Sequence, residues 1–451
     1  MKIVIVGAGK MGIAIIKYVC HENHEVVLID NDSKVVEDVI NNYDVMGVTG
    51  NGVSYELQKT AGTDKADFFI AVTASDETNM LACLIAKKLG ATSTIARVRD
   101  HDYTKQIELM TGALEISRTI NPELESAKEI FRILNFPEAL KVESFAHGNA
   151  DITEFYIGDD SPLVGMSLSQ INSKLGIQIL VCAVERENEV IIPNGQFIIK
   201  GKDKISIISS QEQSKAFVLK LGLSSVKMKN IMIIGASKIT YYLAEVLIKN
   251  NYNVKIIEMD PEKARQISEE IPKANVILGD GSNQTVLQEE GITRFDAVVC
   301  LTGFDEENII ISLYANQLKV QKIITKVNKA SFAGLLESIQ MGSVIFPQEI
   351  AANQIVSHIR SVANAGGNNI ITLHKIVGGK VEAYEFLATL SSKVINTSLK
   401  DLELKKNVLI GGIIRDHQII IPSGMTSIKE NDSVIVVSKG RILNDLDDIL
   451  I

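Results

Sequence analysis

The amino-acid sequence predicts an α/β protein made by tandem duplication: two Rossmann-like domains with doubly wound parallel sheets, each followed by a small α+β domain. Two observations carry this expectation. Laid on itself at an offset of 228–229 residues, the chain matches most of its own landmarks. In the front part of each repeat, strand-length apolar runs ending in Gly, Asp or Thr alternate with helix-length periodic segments, as parallel strands joined by crossover helices require.

The matches run in order along the chain. KIVIVGAGK at 2–10 falls on NIMIIGASK at 230–238, and VVLIDND at 26–32 on VKIIEMD at 254–260. After a one-residue insertion, VTGNG at 48–52 meets ILGDG at 277–281, and ADFFIAVTASDETN at 66–79 meets FDAVVCLTGFDEEN at 295–308. TIARV at 94–98 falls on IITKV at 323–327. Further on, VIIPNG at 190–195 matches IIIPSG at 419–424 and GKDKISII at 201–208 matches ENDSVIVV at 430–437. The expected division is a Rossmann-like domain at 1–121, a helical connector at 122–140 and a small α+β domain at 141–225. The second copy gives 228–347, 348–366 and 367–451. Short β-rich runs, a helix near 167–174 and turns at Pro193-Asn194-Gly195 and Pro422-Ser423-Gly424 define the back modules.

Composition limits the function. At 451 residues the chain exceeds a single core, and 46% apolar with 22% charged residues is a globular balance. A net charge of −9 with no compensating basic stripe speaks against nucleic acid as partner. Cys20, Cys83, Cys182 and Cys300 are dispersed without a CxxC pair and read as core thiols of a reducing compartment. No apolar stretch reaches membrane-spanning length, and the chain enters a strand at Lys2 with no signal-peptide pattern.

The chemistry concentrates at Gly7-Ala8-Gly9-Lys10-Met11-Gly12, a GxGxxG between the strand Lys2–Val6 and a helix starting near Met11. Gly7 permits the tight turn, Gly9 the approach of a pyrophosphate, and Gly12 close packing of helix on strand. The helix N-terminus offers unpaired N–H donors to phosphate. Asp30, at the end of the second strand, is placed to accept from a ribose 2′-hydroxyl. It would repel a 2′-phosphate, and Asn31-Asp32-Ser33 offers no arginine, so NAD(H) is favoured over NADP. Thr49-Gly50-Asn51 and Thr73-Ala74-Ser75-Asp76-Glu77 close the third and fourth strands at the same crevice. Asp76-Glu77 read as the cap of the following helix, and Arg97 on the fifth strand serves either a phosphate or a neighbouring carboxylate.

The second copy reads Gly235-Ala236-Ser237-Lys238-Ile239-Thr240, with Glu258 at the ribose position. Serine in the second position crowds a pyrophosphate and threonine in the third is expected to push helix from strand. It is read as an altered site or a structural copy. His21, His24, His101, His147, His358, His374 and His417 form no catalytic arrangement, and no P-loop, nucleophile elbow or HExxH is present. Three classes share the fingerprint: a nucleotide sensor, an NAD-dependent oxidoreductase and a scaffold with vestigial sites. The missing acid/base groups weigh against the enzyme, and the intact first loop against the scaffold.

KIVIVGAGKMG, Asp30, AVTASDETNM at 71–80, IARVRDHDY at 95–103 and the duplicated back module resemble the TrkA family, peripheral subunits of bacterial Trk potassium uptake systems built from tandem RCK domains. The resemblance covers the whole chain. It implies a non-enzymatic regulatory subunit that binds NAD(H), with ATP or ADP as further ligands, and sets potassium transport. It also implies a homo-oligomeric ring, a tetramer of chains, docked on the cytoplasmic side of a membrane potassium transporter. The family's nucleotide contacts fall on Gly7, Ala8, Gly9, Lys10, Met11, Asp30, Thr73, Ala74 and Arg97. In the second half they fall on Gly235, Ala236, Ser237, Lys238, Ile239, Glu258, Thr302, Gly303 and Lys326.

Overall fold

The computed structural model describes residues 1–451 except 21, 23, 101–102, 104–111, 113, 136–138, 140, 146–147, 223–227, 333–335, 337–341, 365–369, 378 and 442. The chain packs as two compact units, and like packs with like. Met1–Phe131 joins Lys229–Ile359, and Arg132–Met228 joins Arg360–Ile451.

The first unit opens with β1 (Lys2–Val6), α1 (Lys10–Val19), β2 (Glu25–Asp30), α2 (Ser33–Asn42), β3 (Met46–Thr49) and α3 (Tyr55–Thr60). β4 (Phe68–Ala71), α4 (Asp76–Leu89), β5 (Ser93–Arg97), β6 (Arg118–Ile120) and α5 (Pro122–Asn135) follow. The six strands form one parallel sheet in the order β3-β2-β1-β4-β5-β6. Its middle is apolar on both faces, as helices on both sides demand: Ile3, Val4 and Ile5 are completely buried. The strand order reverses between β1 and β4, and ligands of such sheets bind outside the carboxyl ends at that reversal.

The back module of the first repeat contains β7 (Lys141–Phe145), β8 (Ala150–Tyr156), α6 (Leu168–Leu175), β9 (Leu180–Arg186), β10 (Glu189–Ile191), β11 (Lys204–Ser209) and α7 (Gln211–Lys220). Its antiparallel sheet runs β10-β9-β11-β8-β7.

The second repeat retraces this path. β12 (Asn230–Ile234), α8 (Lys238–Lys249), β13 (Asn253–Glu258), α9 (Pro261–Glu270), β14 (Asn275–Leu278) and α10 (Gln284–Glu289) come first. β15 (Ala297–Cys300), α11 (Asp305–Gln317), β16 (Lys322–Lys326), β17 (Ser343–Ile345) and α12 (Pro347–Asn364) complete a second parallel sheet, β14-β13-β12-β15-β16-β17. The last module carries β18 (Ile370–Ile376), β19 (Val381–Leu387), β20 (Val408–Arg415), β21 (Gln418–Ile420) and β22 (Ser433–Ser438), ordered β18-β19-β22-β20-β21. Reversed, that is the order of the first back module.

Two helices join the parallel-sheet repeats. α12 buries Ala351, Ala352, Ile355, Val356 and Ile359 in one cluster with Met11, Ile15, Ile16 and Val19 of α1. Each large aliphatic side chain buried in this way contributes about 1.5–3 kcal/mol. At the start of α5, Asn121 Nδ2 donates to the Tyr242 hydroxyl on α8 at 3.0 Å. In the other unit the two antiparallel sheets share a core containing Ala150, Ile152, Ile208, Ala383 and Ile435. Gly411 permits the contact, since a Cβ there would lie 2.2 Å from Ile208 Cδ1.

Among the described residues no helix is long and apolar enough to cross a membrane. Cys83, Cys182 and Cys300 are buried in the cores, and Cys20 is half-buried. His21, His101 and His147 lie outside the described residues.

Candidate functional site

The three glycines of the first loop differ in what they meet. Gly7 adopts φ +104°, which a side chain rarely tolerates. Gly12 is required by the chain's own packing: a Cβ there would sit 1.9 Å from the Gly7 carbonyl oxygen. Gly9 is not. Its φ is an ordinary −68°, and a Cβ would meet nothing within 4 Å. Gly9 is also the N-cap of α1, and among the described residues no side chain caps the helix there. The loop thus leaves open space beside exposed backbone donors, which fits the close approach of a phosphate.

Asp30 ends β2 against this loop. Its Oδ2 accepts from the Ala8 N–H at 2.6 Å and its Oδ1 from the Asp32 N–H at 3.0 Å. The carboxylate is therefore oriented before any ligand arrives. Lys10 is exposed at the start of α1, while Ala8 and Met11 are buried behind the loop. Gly50 has a structural reason to be glycine: its φ is +150° and a Cβ would press on Leu57 Cδ1 at 3.0 Å. Its N–H donates to the Asp30 carbonyl at 2.8 Å, which ties β3 to the same edge of the crevice.

Thr73 and Ala74 follow β4. The Thr73 N–H and hydroxyl both donate to Asn79 Oδ1, at 2.8 and 2.7 Å. Asn79 Nδ2 donates in turn to the Thr73 and Arg97 carbonyls. The buried amide therefore holds the ends of β4 and β5 together. Asn308 repeats the arrangement between Thr302 and Lys326. Sequence reasoning did not single out this pair, although both asparagines stand in the matched TASDETN and TGFDEEN segments. Asp76 has a different role from the helix cap expected of it. Ser75 caps α4 through the Thr78 N–H, while Asp76 accepts from the Arg99 and Asp100 N–H groups and from Arg99 Nε. A buried carboxylate binds the loop after β5 this way because that loop carries two free N–H groups.

In the second half, the loop satisfies itself. Ser237 Oγ accepts from the Thr240 N–H while Thr240 Oγ1 accepts from the Ser237 N–H at 3.2 Å, a reciprocal cap. The Thr240 hydroxyl also donates to the Gly235 carbonyl at 2.6 Å. The side chain expected to force helix from strand is thus bonded into the turn. Glu258 accepts from the Ala236 and Asp260 N–H groups, as Asp30 does in the first half. Ile239 is buried, and Gly303 lies exposed with nothing within 4 Å of a Cβ.

Arg97 and Lys326, equivalent by repeat, line one cavity of about 170 Å³ between the two parallel-sheet repeats. Glu123 of α5, Gln348 of α12, Ser237 and Lys238 share its wall. Of the two Arg97 options, the structure contains the carboxylate one. Arg97 Nη1 donates to the Thr73 carbonyl at 3.4 Å, and its Nη2 lies 3.8 Å from Glu123 Oε1. Burial lowers the pKa of Arg97, and it does the same to Lys326 against the opposing pull of Asp305 and Glu123. No spacing in the sequence brings Glu123 and Gln348 to this place, because each begins a connecting helix far from the loops.

Comparison with known proteins agrees with this architecture. Residues 3–122 and 231–347 match the TrkA-N domain family, and residues 152–222 and 383–451 match the TrkA-C domain family. The Trk system potassium uptake protein TrkA homolog 1 of Methanosarcina mazei is 31% identical, covering 99% of either chain. The TrkA homolog of Archaeoglobus fulgidus is 30% identical over the full length of both. Among solved structures, the GsuK RCK domain covers 97% of this chain and 92% of its own, at 17% identity and a TM-score of 0.61. The GsuK channel bound to NAD covers 97% and 77%, again at 17% identity and TM-score 0.61. These two likenesses establish the fold.

Proposed function

Because the chain belongs to the family of TrkA-type potassium uptake proteins, with two TrkA-N and two TrkA-C domains, we propose that it is the regulatory subunit of a potassium transporter and senses NAD(H) through its first half. The observation that carries the nucleotide assignment is Gly9: no atom of the described residues needs glycine there, and the space it leaves faces uncapped N–H donors of α1. Asp30, held by the Ala8 N–H, stands where the ribose hydroxyls of a dinucleotide would lie. Gly7, Gly9, Gly12, Asp30, Thr73, Ala74 and Arg97 would hold the ligand. When bound, the nucleotide supplies no reaction here. Its differential affinity for two domain arrangements biases one over the other.

ATP and ADP belong to the same proposal as competing occupants, and the second half, with its self-capped loop, is the weaker site. The division into nucleotide-binding domains at 1–121 and 228–347 and smaller modules at 141–225 and 367–451 is part of this reading. So is a homotetrameric ring docked on a membrane potassium transporter. The test is calorimetric titration of the intact protein with NAD, NADH, ATP and ADP. Asp30→Ala removes a charge-assisted hydrogen bond of about 1.5–3 kcal/mol, so NAD affinity should fall roughly 10- to 150-fold. In cells, deletion of the gene should impair potassium uptake, and the Asp30→Ala copy should fail to restore its nucleotide response. Unchanged NAD affinity in that variant would remove Asp30 from the site.

A further inference from the structure

The second antiparallel sheet retraces the first, so positions in one back module have counterparts in the other. Ile208 on β11 and Val437 on β22 stand at the same place in the matched runs. Ile208 pairs with Ile152 on β8, and Ile152 with Glu143 on β7. Val437 pairs with Ala383 on β19, and Ala383 with His374 on β18. Glu143 and His374 are therefore counterparts, and they touch: His374 Nδ1 lies 3.0 Å from Glu143 Oε2. The carboxylate only accepts, so Nδ1 is the donor. The His374 ring also packs on Phe145, with 4.7 Å between ring centres. A residue meets its own counterpart only at the local two-fold axis that relates the two modules.

That axis is where a symmetric pair would fail. Two first modules joined through this face would set Glu143 against Glu143, and like charges in contact oppose each other. A second contact is one-sided as well. Lys380 Nζ donates to Glu185 Oε1 at 3.0 Å and to the Asn188 carbonyl at 3.1 Å. The strand registers make Asn149 the counterpart of Lys380 and Ile414 that of Glu185. Neither module paired with its own copy would hold an amine against a carboxylate there. The third contact is steric. Cys182 and Gly411 are the extra residues at equivalent irregularities of β9 and β20. A Cβ at Gly411 would lie 2.2 Å from Ile208 Cδ1, and Cys182 would carry such a Cβ against the Ile208 of a copy. Two second modules would instead set Val437, shorter by a methylene, against Gly411 and leave a gap.

We propose that this face is selective: it accepts a second back module on a first and rejects a copy of either on itself, with Glu143, His374, Lys380 and Gly411 as the discriminating residues. The partner it fits in another chain is that chain's opposite module, reached by exchange. Selectivity of this kind comes as much from what the wrong pair suffers as from what the right pair gains. In an assembly of several chains, the back modules would keep to pairs of unlike members, whatever joins the chains elsewhere. The inference rests on neither the nucleotide reading nor the transporter.

Carbodiimide coupling of the full chain, which joins a carboxylate to an amine in contact with it, reads the pairing by peptide mass spectrometry. Wild type should give a link between Glu185 and Lys380 beside the link between Glu185 and Lys204, which lie 3.1 Å apart inside the first module and serve as control. His374→Glu imposes on the native pair the charge contact of two first modules. It should lower the melting temperature by at least about 2–4 °C and weaken the link to Lys380 relative to the control. Combining Glu143→His with His374→Glu restores an unlike pair in reverse order and should recover both readouts, which a role in packing alone would not. Gly411→Cys should lower the melting temperature likewise, and adding Ile208→Val, the residue the second module carries at that place, should recover it. The proposal is overturned if wild type gives the link to Lys204 without the link to Lys380, if His374→Glu melts as wild type does, or if the reversed pair recovers nothing.

Discussion

Gly9→Ala separates folding from binding at a single methyl group. The substitution keeps an ordinary φ of −68° and places Cβ in space free of atoms to 4 Å. Alanine is a poorer N-cap than glycine by up to about 1 kcal/mol. Stiffening the unfolded chain returns about 0.4–1 kcal/mol. The two nearly cancel, so the melting temperature should move by no more than about 4 °C. On the proposed reading, the same methyl stands where a pyrophosphate would approach the N–H donors of α1. Forfeiting one charge-assisted bond of about 1.5–3 kcal/mol lowers NAD affinity roughly 10- to 150-fold. Gly12→Ala is the contrasting case. Its Cβ would lie 1.9 Å from the Gly7 carbonyl oxygen, so loop and helix must part by more than an ångström, at an overpacking cost of about 1–3 kcal/mol or more. Thermal melts and calorimetry on the same preparations decide the matter. A folded Gly9→Ala protein that binds NAD as wild type does would refute the reasoning, because nothing would then need the space at Gly9.

Thr240→Val should destabilise the protein by about 1–3 kcal/mol in chemical denaturation, since it strips the Gly235 carbonyl and the Ser237 N–H of their buried partner. It should leave NAD affinity unchanged, and a fall in that affinity would move the principal site to the second half. A thiol reagent at pH 8 should modify one of the four cysteines in the native protein and all four after unfolding. Burial pushes the Cys182 and Cys300 thiols up to about 12 and raises that of Cys83 as well, so their thiolate fraction stays negligible as pH rises from 7 to 9. Half-buried Cys20 is the one that should react.

The parallel sheets were legible because their code is local. A β-branched run, a glycine turn and an amphipathic helix each announce themselves within about ten residues, and β1, α1 and β2 begin within a residue of where the pattern puts them. Asp30 was legible for the same reason, since strand end and loop are set by the same short segment. What escaped was set by distant partners. The roles of Glu123 and Gln348 depend on α5 and α12 crossing between repeats, and no periodicity encodes which surface a connector meets. Asp76 stands at the start of α4, where an acid usually serves the helix, yet the unpaired N–H groups of the loop after β5 claim it. The mutual capping of Ser237 and Thr240 was readable in principle, because the two residues stand three apart at a helix start.

The pairing of like repeats within one compact unit has a genetic consequence. In a symmetric homodimer every substitution appears twice, so a change that favours one site is imposed on its twin. A chain that carries both copies covalently escapes that rule. Gly9 corresponds to Ser237, Gly12 to Thr240 and Arg97 to Lys326, and each member mutates alone. One copy can therefore surrender ligand affinity and keep the packing surface its neighbour needs. A single point mutation can alter one side of the shared cavity, which no mutation in a two-fold dimer can do.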